Sequence, residues 1–321
     1  MNSVVLRRIA LRHSYLLALL LLLIAVGINF YLQPNLFELR VLNSNLRNFL
    51  PLIILTVGQT IVIIGGGIDL SVGAIVSMAN AILVTLILPE SGPTEILVGI
   101  LAAVGAGLAA GVFNGLCVAY LRLQPIVTTY ATSFVYAGIA LLILPRPGGN
   151  LPREFLRSYR GAPLDIPLAL YFIALAILIW LVLRSTRYGQ YLFATGGKAD
   201  AAYATGVPVN FVRFSTYVWA GLAAALSALA LTMNLGTGNP RIGDAMTLDS
   251  IVAVVLGGTR LSGGQGGVIG SVLGVLILGV IRNIISFANV PTWSQTLVDA
   301  LIIIAALAGP GLVRFLRRRT A

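Results

Sequence analysis

Few residues in this 321-residue chain could do ionic chemistry inside an apolar environment. Asp69 and Asp299 are the carboxylates that fall within long hydrophobic stretches. A carboxylate at membrane depth is costly and is normally paired or functional. Asp69 belongs to Gly66–Gly73, GGIDLSVG, which is echoed at Gly257–Gly264, GGTRLSGG. Five positions agree in the pattern GG-x-x-LS-x-G, and each copy follows a β-branched apolar run. The echo implies two related halves, each with a glycine-rich break. Breaks in matching positions of two halves point either to a transport path or to tight turns between spans. Arg260 stands in the second copy where Asp69 stands in the first. Two roles for Asp69 follow: an ion pair with Arg260, or a cap on the helix that starts just after it, which is the simpler expectation.

Other chemistry is excluded by what is missing. No GxxxxGK[ST] loop, HExxH pair or nucleophile–base set occurs, so the chain is not expected to be an enzyme or to bind nucleotide itself. Cys117 is the one cysteine and His13 the one histidine, which rules out a disulfide within the chain and a Cys/His metal cluster. Uncharged polar residues are scattered through apolar runs, including Gln59, Thr60, Asn80, Asn114, Thr128, Thr129, Asn234, Asn283 and Gln295. They suit hydrogen bonds between helices, or a path for a polyhydroxylated solute. The candidate path set is Gly66, Gly67, Asp69, Ser71, Asn80, Asn114, Thr128, Gly257, Gly258 and Ser262.

The elements that must hold these residues are membrane spans. Apolar residues make up 58% of the chain and charged residues 10%, with a mean hydropathy of +0.96. A soluble domain carries about 25% charge, so the reading is an all-α polytopic membrane protein with an internal pseudo-repeat. Crossing hydrocarbon takes about 20 residues, which gives about ten spans: 15–32, 50–68, 71–88, 95–121, 126–144, 166–184, 212–235, 249–262, 267–288 and 292–313. The net charge of +11 reflects cations beside spans rather than a nucleic-acid surface. Their bias places both termini in the cytoplasm, with residues 1–14 a basic arm, 15–313 one membrane domain and 314–321 a basic tail. Gly107, Gly111 and Gly115, like Gly266, Gly270 and Gly274, form small-residue ridges for helix packing or dimerisation.

One long polar interruption remains, Arg184–Arg213. Its middle, Lys198–Thr205, reads as a two-turn helix, preceded by Gly196-Gly197 and stopped by Gly206 with Pro208 beyond. It is either an ordinary cytoplasmic loop or a surface for a soluble partner to push against.

Four stretches carry a resemblance. GGIDLSVG, LQPIVTTYAT (Leu123–Thr132), ATGGKADAAYATGV (Ala194–Val207) and LDSIVAVVLGGTRLSGGQGGVIGSVLG (Leu248–Gly274) resemble, in order, the permease subunits of bacterial ABC importers for ribose, xylose, arabinose or galactose. The resemblance covers roughly residues 45–310. It implies a multi-pass permease of the bacterial inner membrane, translocating a monosaccharide without a cofactor of its own. It also implies a second permease subunit, a separate ATPase that binds the ATP, and a periplasmic sugar-binding protein. The coupling segment it implies carries over to Gly196, Gly197, Ala201, Ala202, Gly206 and Val207, with Lys198, Asp200 and Tyr203 beside them. Lys198 and Asp200 stand near the place where the family commonly has an acidic pair, which alters the polarity of that contact. The alternative is an ion-coupled secondary carrier or channel for a small polar solute, which would have to rest on Asp69 and Asp299.

Overall fold

The computed structural model describes residues 15–288, together with 291, 297, 300, 301 and 304. The expected N-terminal arm, the basic tail, Gln295, Asp299 and most of the expected last span lie outside the described residues.

The described chain is helical, with one isolated antiparallel bridge between Gly148 and Gly238. In order the helices are α1 (Leu16–Leu32), α2 (Leu39–Ile64), α3 (Val72–Leu86), α4 (Pro93–Gly115), α5 (Pro125–Ile143) and α6 (Arg153–Tyr159). Then come α7 (Leu168–Ser185), α8 (Arg187–Gly197), α9 (Ala199–Ala204), α10 (Val209–Leu235), α11 (Met246–Leu256) and α12 (Val268–Phe287). A π-helical turn, Leu116–Tyr120, continues α4.

Among the described residues, six helices are long and apolar enough to cross a membrane: α2, α4 with its π turn, α5, α7, α10 and α12. Three others are apolar but shorter, at 17 residues in α1, 15 in α3 and 11 in α11. The expected spans 15–32, 71–88 and 249–262 are thus helical over Leu16–Leu32, Val72–Leu86 and Met246–Leu256. The apolar run of 249–262 continues into the glycine-rich segment from Gly257, which is not helical.

The start of α2 is a correction. The span was expected from about residue 50, and a proline usually opens a helix, because its missing N–H is an orphan there anyway. The helix instead begins at Leu39 and carries Pro51 inside it. Pro51 cannot donate to the carbonyl of Arg47, one turn back. The buried Tyr159 hydroxyl of α6 donates to that carbonyl at 3.0 Å. Burial holds the Tyr159 phenol above its ordinary range, so it stays a donor. The carbonyl of Pro51 in turn accepts the Ser227 hydroxyl of α10 at 2.6 Å.

α2, α3 and α10 form the core. α2 and α10 run antiparallel, with Asn48 bonded to Asn234 at one end and Gly65 against Thr216 at the other. The Gly107, Gly111 and Gly115 ridge lies on α10, where added methyls would strike the main chain at Gly221, Tyr217 and Phe214. Gly270 and Gly274 pack likewise on the main chain of Gly257, just past α11, and of Ala253 within it, while Gly266 abuts Thr259. Both ridges are thus used within the chain. Such contacts let helix axes approach closely, and filling one typically costs about 1–3 kcal/mol.

Between α10 and α11 the chain runs back along α3 without helical structure. Gly238 lies beside Val84. The Asn239 N–H donates to Asn80 Oδ1 (2.9 Å) and the Gly243 N–H to Ser77 Oγ (2.9 Å). Thr247 Oγ1 then accepts from the Gly73 N–H (3.0 Å). Irregular backbone survives among buried helices because side chains satisfy its polar groups.

Candidate functional site

The two glycine-rich breaks and the polar interruption meet at one end of the bundle. α2 ends at Ile64, and the N–H of Gly264 in the second break donates to the Ile64 carbonyl at 2.9 Å. Gly196, at the end of α8, is buried against that same carbonyl and the Gly264 N–H. Gly66 and Gly263 face each other main chain to main chain, and Gly264 abuts Gly197. Gly66, Gly263 and Gly264 all have positive φ, at 85°, 82° and 71°. Glycine holds such angles without a Cβ clash, so here the residue type answers both a backbone angle and a close approach.

The polar interruption makes two helices, and only the second was expected. α8 opens on Thr186, whose hydroxyl accepts from the Gly189 N–H at 3.4 Å. Leu192 of α8 is fully buried, and Arg184 lies over the Phe193 ring at 5.9 Å. The three glycines of α8 hid it from a propensity reading, since glycine weakens a helix interior. Glycine at 189 and 196 is instead required by close main-chain neighbours.

α9 then spans Ala199–Ala204, ending one residue before the expected boundary. Gly206, at φ 84°, closes it: its N–H donates to the Tyr203 carbonyl and the Val207 N–H to that of Ala202. These are the paired bonds of a glycine-stopped C-terminus. Ala202 is buried, whereas Lys198, Asp200, Ala201, Tyr203 and Gly206 are exposed. A methyl added to Gly197 would point into open space. The outcome is a small exposed knuckle whose base is locked, through Gly196, to both breaks.

Asp69 lies between the first break and α3. It is fully buried, and its Oδ1 accepts from the Ser71 N–H (2.8 Å) and the Ser71 hydroxyl (2.6 Å). Asn114 of α4 donates to Ser71 Oγ (2.8 Å), and the Tyr136 hydroxyl of α5 donates to Asn114 Oδ1 (3.1 Å). The network ties three helices to the turn that starts α3. Arg260 is exposed in the second break and does not pair with Asp69. The ion-pair alternative is thus excluded, and the expected cap is corrected too: the N-cap is Ser71, with no side-chain cap bond to the helix, and Asp69 instead holds Ser71 from two residues before it. Among the described residues the recorded ion pair joins Arg282 of α12 to both Asp249 oxygens in α11, at 2.9 Å.

The candidate path residues do not share one surface. Asp69, Ser71 and Asn114 form the network above. Asn80 donates to Thr232 (2.7 Å) and supports the segment after α10. Thr128 bonds back to the Gln124 carbonyl (2.8 Å) within its own turn. Gly66 and Gly67 lie in the first break, where Gly67 faces the Tyr217 ring hydroxyl. Gly257 packs on Gly270, Gly258 has φ 83°, and Ser262 is exposed at the knuckle end.

A cleft of about 610 Å³ opens beside the knuckle, and sequence reasoning missed it. Its walls are Gly65–Gly67, the α4–α5 connection, one face of α9 and the start of α10. Arg122, in that connection, has φ 57°. The signal was available as Arg122 before Pro125, but the cleft depends on long-range packing.

A family described as "Branched-chain amino acid transport system / permease component" matches residues 41–307. The chain is 32% identical over 296 residues to the ribose import permease protein of Escherichia coli (strain K12), covering 90% of this chain and 91% of the other. It is 36% identical over 296 residues to the ribose import permease protein of Bacillus subtilis (strain 168), covering 91% and 90%. It is 29% identical over 307 residues to an autoinducer 2 import system permease protein of Salmonella paratyphi B, covering 93% and 92%. No solved structure matches the chain.

Proposed function

The chain belongs to the branched-chain amino acid transport system permease component family, and from that premise we propose that it is the membrane permease subunit of an ATP-binding-cassette importer for a monosaccharide. The solute class rests on similarity to permeases named for ribose import. We place the protein in the bacterial inner membrane, as one membrane domain of about ten passes with both termini cytoplasmic. The knuckle end, which gathers Arg122, Lys198, Arg213 and Arg260, then faces the cytoplasm by the cation rule.

The observation that carries the mechanism is the knuckle seated on Gly66, Gly196, Gly263 and Gly264. In this reading an ATPase subunit docks on the exposed residues Lys198, Asp200, Ala201 and Tyr203. Its closure on ATP pushes α9. The push passes through Gly196 to the end of α2 and to the second break, which reset α3 and α11. The short helices α3 and α11 lie side by side, joined through Gly73 and Thr247, so they move as a pair. A binding protein loaded with sugar docks at the opposite end, on the loops tied by the Gly148–Gly238 bridge, and supplies the affinity. A second permease subunit completes the path, and the nucleotide belongs to the ATPase.

The test uses Ala201→Arg and Gly197→Glu, at exposed positions that leave the fold room. ATP-driven uptake of labelled pentoses and hexoses in vesicles holding the full complex should fall at least tenfold, with the permease still folded. Normal uptake by both variants overturns the coupling assignment. Uphill uptake by the permease alone, without nucleotide, favours the ion-coupled carrier instead.

A further inference from the structure

The cleft beside α9 carries two guanidinium groups without an acidic partner. Arg122 is exposed and Arg213 is half-buried, and both line it. Among the described residues neither lies within ion-pair distance of an acid. Asp200 is the one acid in the lining.

Two further observations mark the cleft as a site. Tyr217 lines it, is 1% exposed, and its hydroxyl has no hydrogen-bond partner. A buried hydroxyl left unmatched in a cationic cleft is a donor awaiting an acceptor. The backbone beneath Arg122 is also strained: the chain leaves α4 by a π turn, then holds Arg122 in a left-handed conformation. π turns and non-glycine residues at positive φ cluster at functional positions.

Asp200 and Tyr203 belong both to the knuckle and to the cleft wall. A partner seated on the knuckle therefore lies beside the cleft mouth and its two cations. Burying an unpaired guanidinium is strongly unfavourable unless the partner brings an opposite charge. We propose that Arg122 and Arg213, with the Tyr217 hydroxyl, receive a carboxylate-bearing segment of the ATPase, so that the ATPase grips this chain twice. The proposal rests on the importer reading above. It places a salt-dependent contact beside the knuckle, formed by residues distant in sequence from it.

Two experiments test it in nanodiscs holding the intact permease. In the first, ATPase affinity is measured for Arg122→Glu, Arg213→Glu and the milder Arg122→Gln and Arg213→Gln. Arg260→Glu, a cation at the same end but outside the cleft lining, is the control. The cleft variants should lose about tenfold or more in affinity and show a shallower salt dependence, and the control should change less than threefold. Equal losses at Arg260 overturn the proposal in favour of general charge attraction. A loss seen only in anionic phosphatidylglycerol, and absent in phosphatidylcholine, overturns it in favour of a lipid headgroup site.

The second experiment exploits Lys198, the one lysine in the chain. In a Lys198→Arg background, Arg122→Lys or Arg213→Lys is treated with a carbodiimide, which condenses an amine with a carboxylate to an amide as the carbodiimide takes up the water and leaves as urea. Cross-linked peptides joining position 122 or 213 to an ATPase Asp or Glu are expected, with none from Arg260→Lys. ATPase binding without any such cross-link overturns the cleft assignment alone. Failure of the unaltered permease to bind the ATPase overturns the importer reading beneath it.

Discussion

Gly196 and Gly197 are neighbours with opposite environments. A methyl on Gly196 would run into the Ile64 carbonyl and the Gly264 N–H, while one on Gly197 meets open space. Gly196→Ala should therefore cost about 1–3 kcal/mol of stability and weaken transport. Gly197→Ala should be neutral or slightly favourable, because alanine suits a helix end better than glycine. Thermal unfolding of the two variants in detergent checks this, and equal shifts would deny the close contact. The sequence displays both residues as one dipeptide, so the difference between them was not legible there. Asp69 was half legible: its position predicted a local role at the start of α3, but the N-cap is Ser71, and the Ser71, Asn114 and Tyr136 network depends on α4 and α5 arriving beside it.

Helix α2 shows what pattern reading supplies and omits at the level of an element. Its apolar length was plain, and its first eleven residues, 39–49, fell outside the expected span because they are largely polar. What lets the helix continue is a donor more than a hundred residues away, the Tyr159 hydroxyl on Arg47. Tyr159→Phe strands that carbonyl and should cost about 1–3 kcal/mol. In a Pro51→Ala background the new N–H can close the helical bond, so the same change should cost well under half as much. A double-mutant cycle on unfolding measures this coupling, and simple additivity would remove Tyr159 from the role. α8 was missed for the converse reason. Its glycines argue against helix locally, and burial of Leu192 with the Thr186 cap overrides them.

For the whole molecule, composition announced a polytopic helical protein, and the echo marked the two glycine-rich breaks. How the two breaks meet was not legible, since the contacts joining Ile64, Gly196 and Gly264 are main chain to main chain and leave no side-chain pattern. Sidedness can be tested directly because Cys117 is the one cysteine. In a Cys117→Ser background, Lys198→Cys should react with a membrane-impermeant maleimide only from the cytoplasmic side. Arg157→Cys, exposed in α6 at the opposite end, should react only from the periplasmic side. The reverse labelling would invert the orientation and, with it, the place where an ATPase can reach the knuckle.

The seat of the knuckle also bears on how motion is lost or kept. Side chains turn about their χ bonds and take up small displacements as rotamer shifts. A joint between bare peptide planes has no such slack. In the proposed coupling an advance of α9 would meet the end of α2 and the end of the second break with little slack between, so drive and response would be geared at a fixed ratio.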